Sequence, residues 1–204
     1  LSLSGVIPVS CGAICLEDAL IEKYKVIYAD CPWAFRNKQT GGSMSSGSAN
    51  QYPTMSLQEL SLLPVPLIAD KDSVCFLWAS VALLPDSLSL LSAWGYHYKT
   101  ALFWRKIMGL GMGYWFRGQV EVCLLGVRGK VKAFRIQKPN FVQSKVRNHS
   151  QKPDEVRELI DMVDLSPKLE LFARERAPGW DAMGFDIDGK DIRLALVEKI
   201  VELE

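Results

Sequence analysis

The stretch Val26-Ile27-Tyr28-Ala29-Asp30-Cys31-Pro32-Trp33-Ala34-Phe35-Arg36-Asn37 decides how the chain is read. Four β-formers run into a carboxylate, a proline and a large aromatic. A short apolar run closed by turn residues reads as a buried strand. Open α/β sheets bind ligands at the C-terminal ends of such strands. Pro32 fixes its own φ and pushes Cys31 towards extended geometry, which holds the carbonyls of Asp30 and Cys31 at set angles. A carboxylate, a fixed carbonyl and an indole together suit a flat molecule with an amino group. The oxygens accept its two hydrogens and the indole stacks on its ring.

Outward from this stretch the pattern is α/β. Residues 36–51 form a polar Gly/Ser loop, and a long loop beside a site reads as a lid or binding loop. Ser56-Leu57-Gln58-Glu59 is a capping box opening a helix to about Leu63, which Pro64 and Pro66 stop. Val74–Ala79 reads as a buried strand and Leu83–Trp94 as a helix with Gly95 at its C-terminal cap. Tyr96–Trp104 and Glu121–Val127 read as further strands around a turn carrying Gly109, Gly111 and Gly113. Residues 128–150 are basic and poorly periodic. Residues 153–163 show a one-face helical pattern with Pro153 at the first position. Lys168–Ala173 reads as a strand and 188–203 as a charged helix, with an irregular lead-in and a short helical piece, Leu16 to Glu22, before it all. Alternating strands and helices predict a mostly parallel central sheet flanked by helices.

At 204 residues with 49% apolar content, the chain can bury one sizeable core. No apolar run approaches the ~18 residues of a membrane span. Leu1–Leu16 lacks a basic region, so no secretory signal is expected, and Leu203-Glu204 reads as a vector-derived end. Five cysteines with two histidines fit no zinc pattern, so a reduced, metal-free protein is expected. The glycine fingerprint of dinucleotide folds, the phosphate-loop lysine and the serine-hydrolase elbow are all missing.

Net charge is only +1, yet Lys99–Lys152 holds twelve Lys or Arg against the single acid Glu121. That excess, interleaved with aromatics, is the footprint of a nucleic-acid binder. His149-Ser150-Gln151-Lys152-Pro153-Asp154-Glu155 places an ammonium just before a helix start, where a carboxylate can be gripped. Eighteen residues after Lys152 comes Glu170, in Leu169-Glu170-Leu171-Phe172-Ala173-Arg174, a carboxylate able to accept both hydroxyls of a ribose.

These segments, in this order, resemble the adenine N(6)-methyltransferases with an Asp-Pro-Pro-Trp motif: the eukaryotic mRNA adenosine methyltransferase and its bacterial and phage DNA-adenine relatives. The resemblance runs from about Tyr24 to Asp186 and includes Gln51-Tyr52-Pro53-Thr54, Phe76-Leu77-Trp78, Ala93-Trp94-Gly95-Tyr96, Glu121–Gly126 and Pro178-Gly179-Trp180-Asp181. It implies a Rossmann-like S-adenosylmethionine-dependent methyltransferase fold in which the catalytic motif precedes the cofactor-binding strand. It also implies three divisions: a lead-in at 1–23, a methyltransferase domain at 24–187 and a helical tail at 188–204. Asp30, Cys31, Pro32 and Trp33 would be catalytic. Lys152 would hold the methionine carboxylate and Glu170 the ribose, with Asp30, Phe172 and Arg174 beside them. Trp33, Arg36, Asn37, Lys38, Tyr52, Arg117, Glu121, Lys145 and Arg147 would meet the nucleic acid, DNA in preference to RNA. The implied setting is the cytoplasm of a bacterial host, or a phage gene product, with a homodimer or a paralogous heterodimer as the assembly. The alternative is a non-catalytic nucleic-acid-binding partner subunit of the same family. Three positions depart from the pattern: Cys31 replaces a proline, Gly118 a polar residue and Phe185 an asparagine.

Overall fold

Tyr24–Ala29 forms β1, a strand buried along nearly its whole length. The computed structural model describes residues 22–34, 54–107, 111, 115–146 and 151–203. After β1 come α1 (Leu57–Ser61), α2 (Val65–Ile68), β2 (Ala69–Ser80) and a 3-10 turn running into α3 (Leu84–Ala93). Then follow β3 (His97–Ile107), β4 (Val120–Arg128), β5 (Phe141–Lys145), α4 (Asp154–Asp161), β6 (Lys168–Leu171), β7 (Asp181–Met183), α5 (Phe185–Asp188) and α6 (Ile192–Leu203). The seven strands make one sheet in the order β5-β3-β4-β2-β1-β6-β7. Only β4 runs against its neighbours, pairing antiparallel with both β2 and β3; every other pairing is parallel.

The two faces of the sheet are covered unequally. Successive strand residues point to opposite faces, so Ile27, Ala29, Cys75 and Leu77 join one core while Val26, Tyr28, Val74 and Phe76 join the other. The first core is closed by α1, α2, α3 and α6. The second has α4 and the segment 131–136, which forms neither helix nor strand. Trp94 ties α3 to α1 by donating from Nε1 to Leu60 O at 3.0 Å. Gly126 lets α3 press on β4: a Cβ there would stand 2.8 Å from Leu91 Cδ1 and Tyr96 Cβ.

Several expected elements form where the sequence places them, with small shifts. The Ser56–Glu59 capping box is complete, with both reciprocal bonds made. Gly95 takes φ +83 after α3, a left-handed geometry natural to glycine. Pro153 stands one residue earlier than predicted, at the N-cap of α4 with extended ψ. Two readings need correction. Pro66 does not merely stop a helix: it lies in the first turn of α2, where a missing N–H costs nothing. Residues 128–150 are not irregular throughout, because Phe141–Lys145 pairs with β3 as the edge strand β5. The predicted helical piece at 16–22 and the 36–51 loop lie outside the described residues, except that Glu22 is not helical.

Candidate active site

Parallel pairing sets Ala29 opposite Leu77 of β2 and opposite Leu171 of β6. The residues that follow, Asp30, Trp78–Ser80 and Phe172–Arg174, therefore emerge together at one sheet edge. Because β4 is reversed, its start reaches the same edge, with Glu121 opposite Ser80 and also opposite Trp104 of β3. A cleft of about 380 Å³ opens there, lined by Asp30, Cys31, Pro32, Trp33, Glu121, Lys152, Phe172 and Arg174 among others. Eight positions singled out from sequence thus converge on one cavity.

The turn after β1 is pinned from both sides. Met55 N–H donates to Pro32 O at 2.7 Å and Ala34 N–H donates to Met55 O at 2.9 Å. Trp33 N–H donates to Cys31 O at 3.0 Å, which leaves that carbonyl its second lone pair. The Cys31 side chain is buried, and burial pushes its thiol far above the usual range, so it stays protonated. Trp33 is less available than the sequence suggests. At 9% exposure it belongs to the core, presenting only part of its surface to the cleft.

Lys152 arrives just ahead of α4 and is the hub of the site. Its Nζ lies 2.6 Å from Asp30 Oδ2, 3.6 Å from Glu121 Oε2 and 5.4 Å above the Trp78 ring. Burial alone would lower its pKa, but Asp30 and Glu121 outweigh that and hold it above the ordinary lysine value. Glu121 is bonded in turn by Lys106, which sits over Trp104. Acid and base alternate along Asp30, Lys152, Glu121 and Lys106. A row of this kind keeps buried charge paired, as a low-dielectric setting demands.

Glu170 is placed differently. It lines a side crevice of about 50 Å³ that shares Asp30, Lys152, Phe172 and Arg174 with the main cleft. Arg157 Nη1 stands 2.6 Å from Glu170 Oε2, and the guanidinium packs over both Tyr28 and Trp180. Burial raises the Glu170 pKa, with Arg157 pulling against it. Phe172 follows β6 at φ 59, uncommon for a bulky residue, and ends the strand two residues earlier than predicted. Arg117 and Lys145 are exposed and do not line the cleft. Arg36, Asn37, Lys38, Tyr52 and Arg147 lie outside the described residues.

The sequence reading missed several groups. Arg157 and Ser80 carry no motif of their own, and Trp78, part of the quoted Phe76-Leu77-Trp78, has no role at the site assigned from sequence. Lys190, Asp191 and Arg193, read as part of a tail, line the cleft, and Ile192, Ala195 and Leu196 of α6 are buried beneath it. Their signal was the apolar spacing 192, 195 and 196, one face of a core helix. Two buried polar atoms of cleft-lining residues, Trp33 Nε1 and Ser80 Oγ, have no hydrogen-bond partner among the described residues. Groups of that kind ask for a polar ligand.

A family model described as MT-A70 matches residues 24–186, most of the chain. The chain belongs to the MT-A70 family. Among its relatives is the type II methyltransferase M.MunI of Mycoplasma sp., 32% identical over 89% of this chain and 85% of its own length. An N(6)-adenosine-methyltransferase MT-A70-like protein of Drosophila melanogaster is 30% identical over 96% of the chain. The METTL3 subunit of Danio rerio N(6)-adenosine-methyltransferase is 29% identical over 89% of it. This MT-A70 chain spans only about a third of those two animal proteins, 32% and 31% respectively.

Proposed function

We propose that the chain transfers the methyl group of S-adenosylmethionine to the 6-amino group of adenine in nucleic acid, DNA in preference to RNA. The observation that carries this reading is the meeting of Asp30 and Lys152 at the tip of β1, inside a cleft large enough for a ligand. Its residues fit the cofactor. The unpartnered Trp33 Nε1 and Ser80 Oγ offer donors to a polar molecule, and cations and anions stand together as a zwitterion requires. Lys152 and Arg174 would hold the carboxylate of the amino-acid end. Glu170 would take ribose hydroxyls, sharing its carboxylate with Arg157.

When bound, S-adenosylmethionine supplies an electrophilic methyl group on sulfonium. The harder problem is the nucleophile, because the lone pair of the 6-amino group is spread into the ring. Asp30 and the free lone pair of Cys31 O accept hydrogen bonds from the amine and favour a pyramidal nitrogen, and the proton that this nitrogen sheds on methylation passes towards the Asp30 carboxylate. That assistance grows as charge develops, so it acts on the transition state. Asp30 can serve only if Lys152 does not monopolise it. Glu121, 3.6 Å from Nζ, gives the ammonium a second seat. The target base leaves its stack to enter the cleft.

Preference for DNA is supported by likeness to a type II methyltransferase, 32% identical over 89% of this chain. Three buried free thiols suit the reducing cytoplasm. The test is mass spectrometry of nucleosides from DNA and RNA incubated with the purified chain and labelled S-adenosylmethionine. Label in N(6)-methyladenine from DNA is expected. No labelled nucleoside from either polymer would make the chain a non-catalytic partner.

A further inference from the structure

A second cleft, of about 450 Å³, shares no residue with the first. Phe76, Leu125 and Val127 of the sheet and Leu159 of α4 line it, and Phe134 and Ile136 of segment 131–140 close it. Phe134 stacks on Phe76 at 6.4 Å between centroids. Lys99, Lys132, Arg135 and Lys138 also line it, and all four are exposed. No acid lines this cleft, and none of these cations forms an ion pair among the described residues. Arg135 has φ 54, a conformation that costs an arginine energy and persists only where its surroundings enforce it.

The basic excess of the sequence is therefore divided. Lys106 and Lys152 of the catalytic edge are matched by Asp30 and Glu121, whereas Lys99, Lys132, Arg135 and Lys138 stand around the apolar slot. Three of the cations recur every third residue along segment 131–140, which spaces neighbours by at most ~10 Å. A single carboxylate on an apolar tail would engage one or two of them. A chain of phosphates carrying flat bases engages them all, with a base entering the slot against Phe134.

We propose that this slot seats an unpaired base of the nucleic-acid substrate, several nucleotides from the target adenine, while the four cations hold the adjoining phosphates. This rests on the function proposed above and extends it to an exosite. Glu121 at the catalytic edge and Leu125 or Val127 at the slot lie on one strand, four to six residues apart, roughly 13–20 Å. At ~3.4 Å per stacked nucleotide that is about four to six nucleotides. The slot thus sets a minimum substrate length.

The test compares a trinucleotide centred on adenine with a single-stranded DNA of about thirteen nucleotides. The wild type should use the longer strand with a KM at least tenfold lower. Both Phe134→Ser and the triple variant Lys132→Gln/Arg135→Gln/Lys138→Gln should lose that preference and treat the two lengths alike. By fluorescence anisotropy without cofactor, the triple variant should bind the long strand at least tenfold more weakly. Its log–log salt slope should be shallower by about 2, three phosphate contacts at ~0.7 each. Circular dichroism checks that the variants fold. An unchanged length preference in both variants overturns the slot. So does loss of a concentration-dependent dimer by sedimentation with strand binding intact, which would assign this face to a second copy. A wild type that binds the strand through these residues but transfers no methyl leaves the exosite standing and removes the enzyme reading instead.

Discussion

Lys152 Nζ stands 2.6 Å from Asp30 Oδ2, although 122 positions of chain separate the two residues. The pairing joins the motif after β1 to the segment before α4. Asp30→Ala should cut the methyl-transfer kcat by about 100-fold or more, the usual loss when a group acting on the transition state is removed. S-adenosylmethionine should still bind, as read by calorimetry. A variant keeping most of its activity would end the acceptor role of Asp30.

Lys152→Met removes the cation between two acids. Asp30 and Glu121 would then face each other across a partly buried space. Breaking a fully buried pair costs about 3–5 kcal/mol, and the 27% exposure of the Asp30 side chain reduces this to roughly 1–3 kcal/mol. The melting temperature should fall by several degrees. Cofactor affinity should drop at least tenfold while nucleic-acid affinity changes little. Unchanged calorimetric affinity for S-adenosylmethionine would take Lys152 out of that site.

Gly184 joins β7 to α5, next to Phe185 and Asp186, which line the cleft. Its backbone is extended, so conformation does not demand glycine, but space does. A Cβ there would lie 2.2 Å from Ala173 O and 2.7 Å from Ala173 N. Gly184→Ala should therefore push the 172–174 turn away from its place and weaken cofactor binding more than it lowers the melting temperature. Wild-type affinity in a titration would show that this turn does not shape the cofactor site.

How legible all this was in the sequence depended on how local the signal is. The strand before Asp30, the capping box at Ser56 and the glycine after α3 rest on neighbouring residues, and each was readable. The gathering of Asp30, Lys152, Phe172 and Arg174 was readable through the order of motifs along the chain. The Glu170–Arg157 pair was not, because an arginine on a surface-patterned helix carries no sign of what it meets across the fold. Strand β5 was hidden for a similar reason. Phe141-Val142-Gln143-Ser144-Lys145 has one buried face at a sheet edge, too short an alternation to stand out in a basic stretch. Trp33 is a different case: the motif suggests an open stacking surface, whereas its ring is largely packed into the core and only part of it lines the cleft.

Stability should fall in alkali. Cys31, Cys75 and Cys123 are buried and free, and burial raises the pKa of each thiol. An unfolded thiol ionises near pH ~8.5. Above that value the unfolded chain releases protons that the folded chain keeps, so stability declines by roughly 1.4 kcal/mol per pH unit for each thiol. Lys152, raised above the lysine value, adds to the loss only at still higher pH. The urea midpoint should be level from about pH 7 to 8 and decline from about pH 9. A midpoint unchanged to about pH 10 would mean that the thiols are not held protonated.

Cys31→Pro should leave methyl transfer intact or raise it. The carbonyl that would receive the amine is a backbone group and survives the change. The turn is already fixed by Met55 on both sides. The buried thiol, kept neutral, is no nucleophile. An inactive but folded variant, by radiolabel transfer and circular dichroism, would give the cysteine a role of its own.

The lone reversed strand has a consequence for how such a molecule can change. Since β4 comes back from the direction in which β3 leaves, the connection between them departs from and re-enters the sheet edge that carries Asp30, and Glu121 at its return faces Lys152. Its described residues 115–118 are exposed and pair with no strand, so Trp115, Phe116 and Arg117 can be exchanged while each strand keeps its partners and the core its contents. New preferences for what stands around a target base could therefore arise there at little cost in folding, with the chemistry beneath left alone.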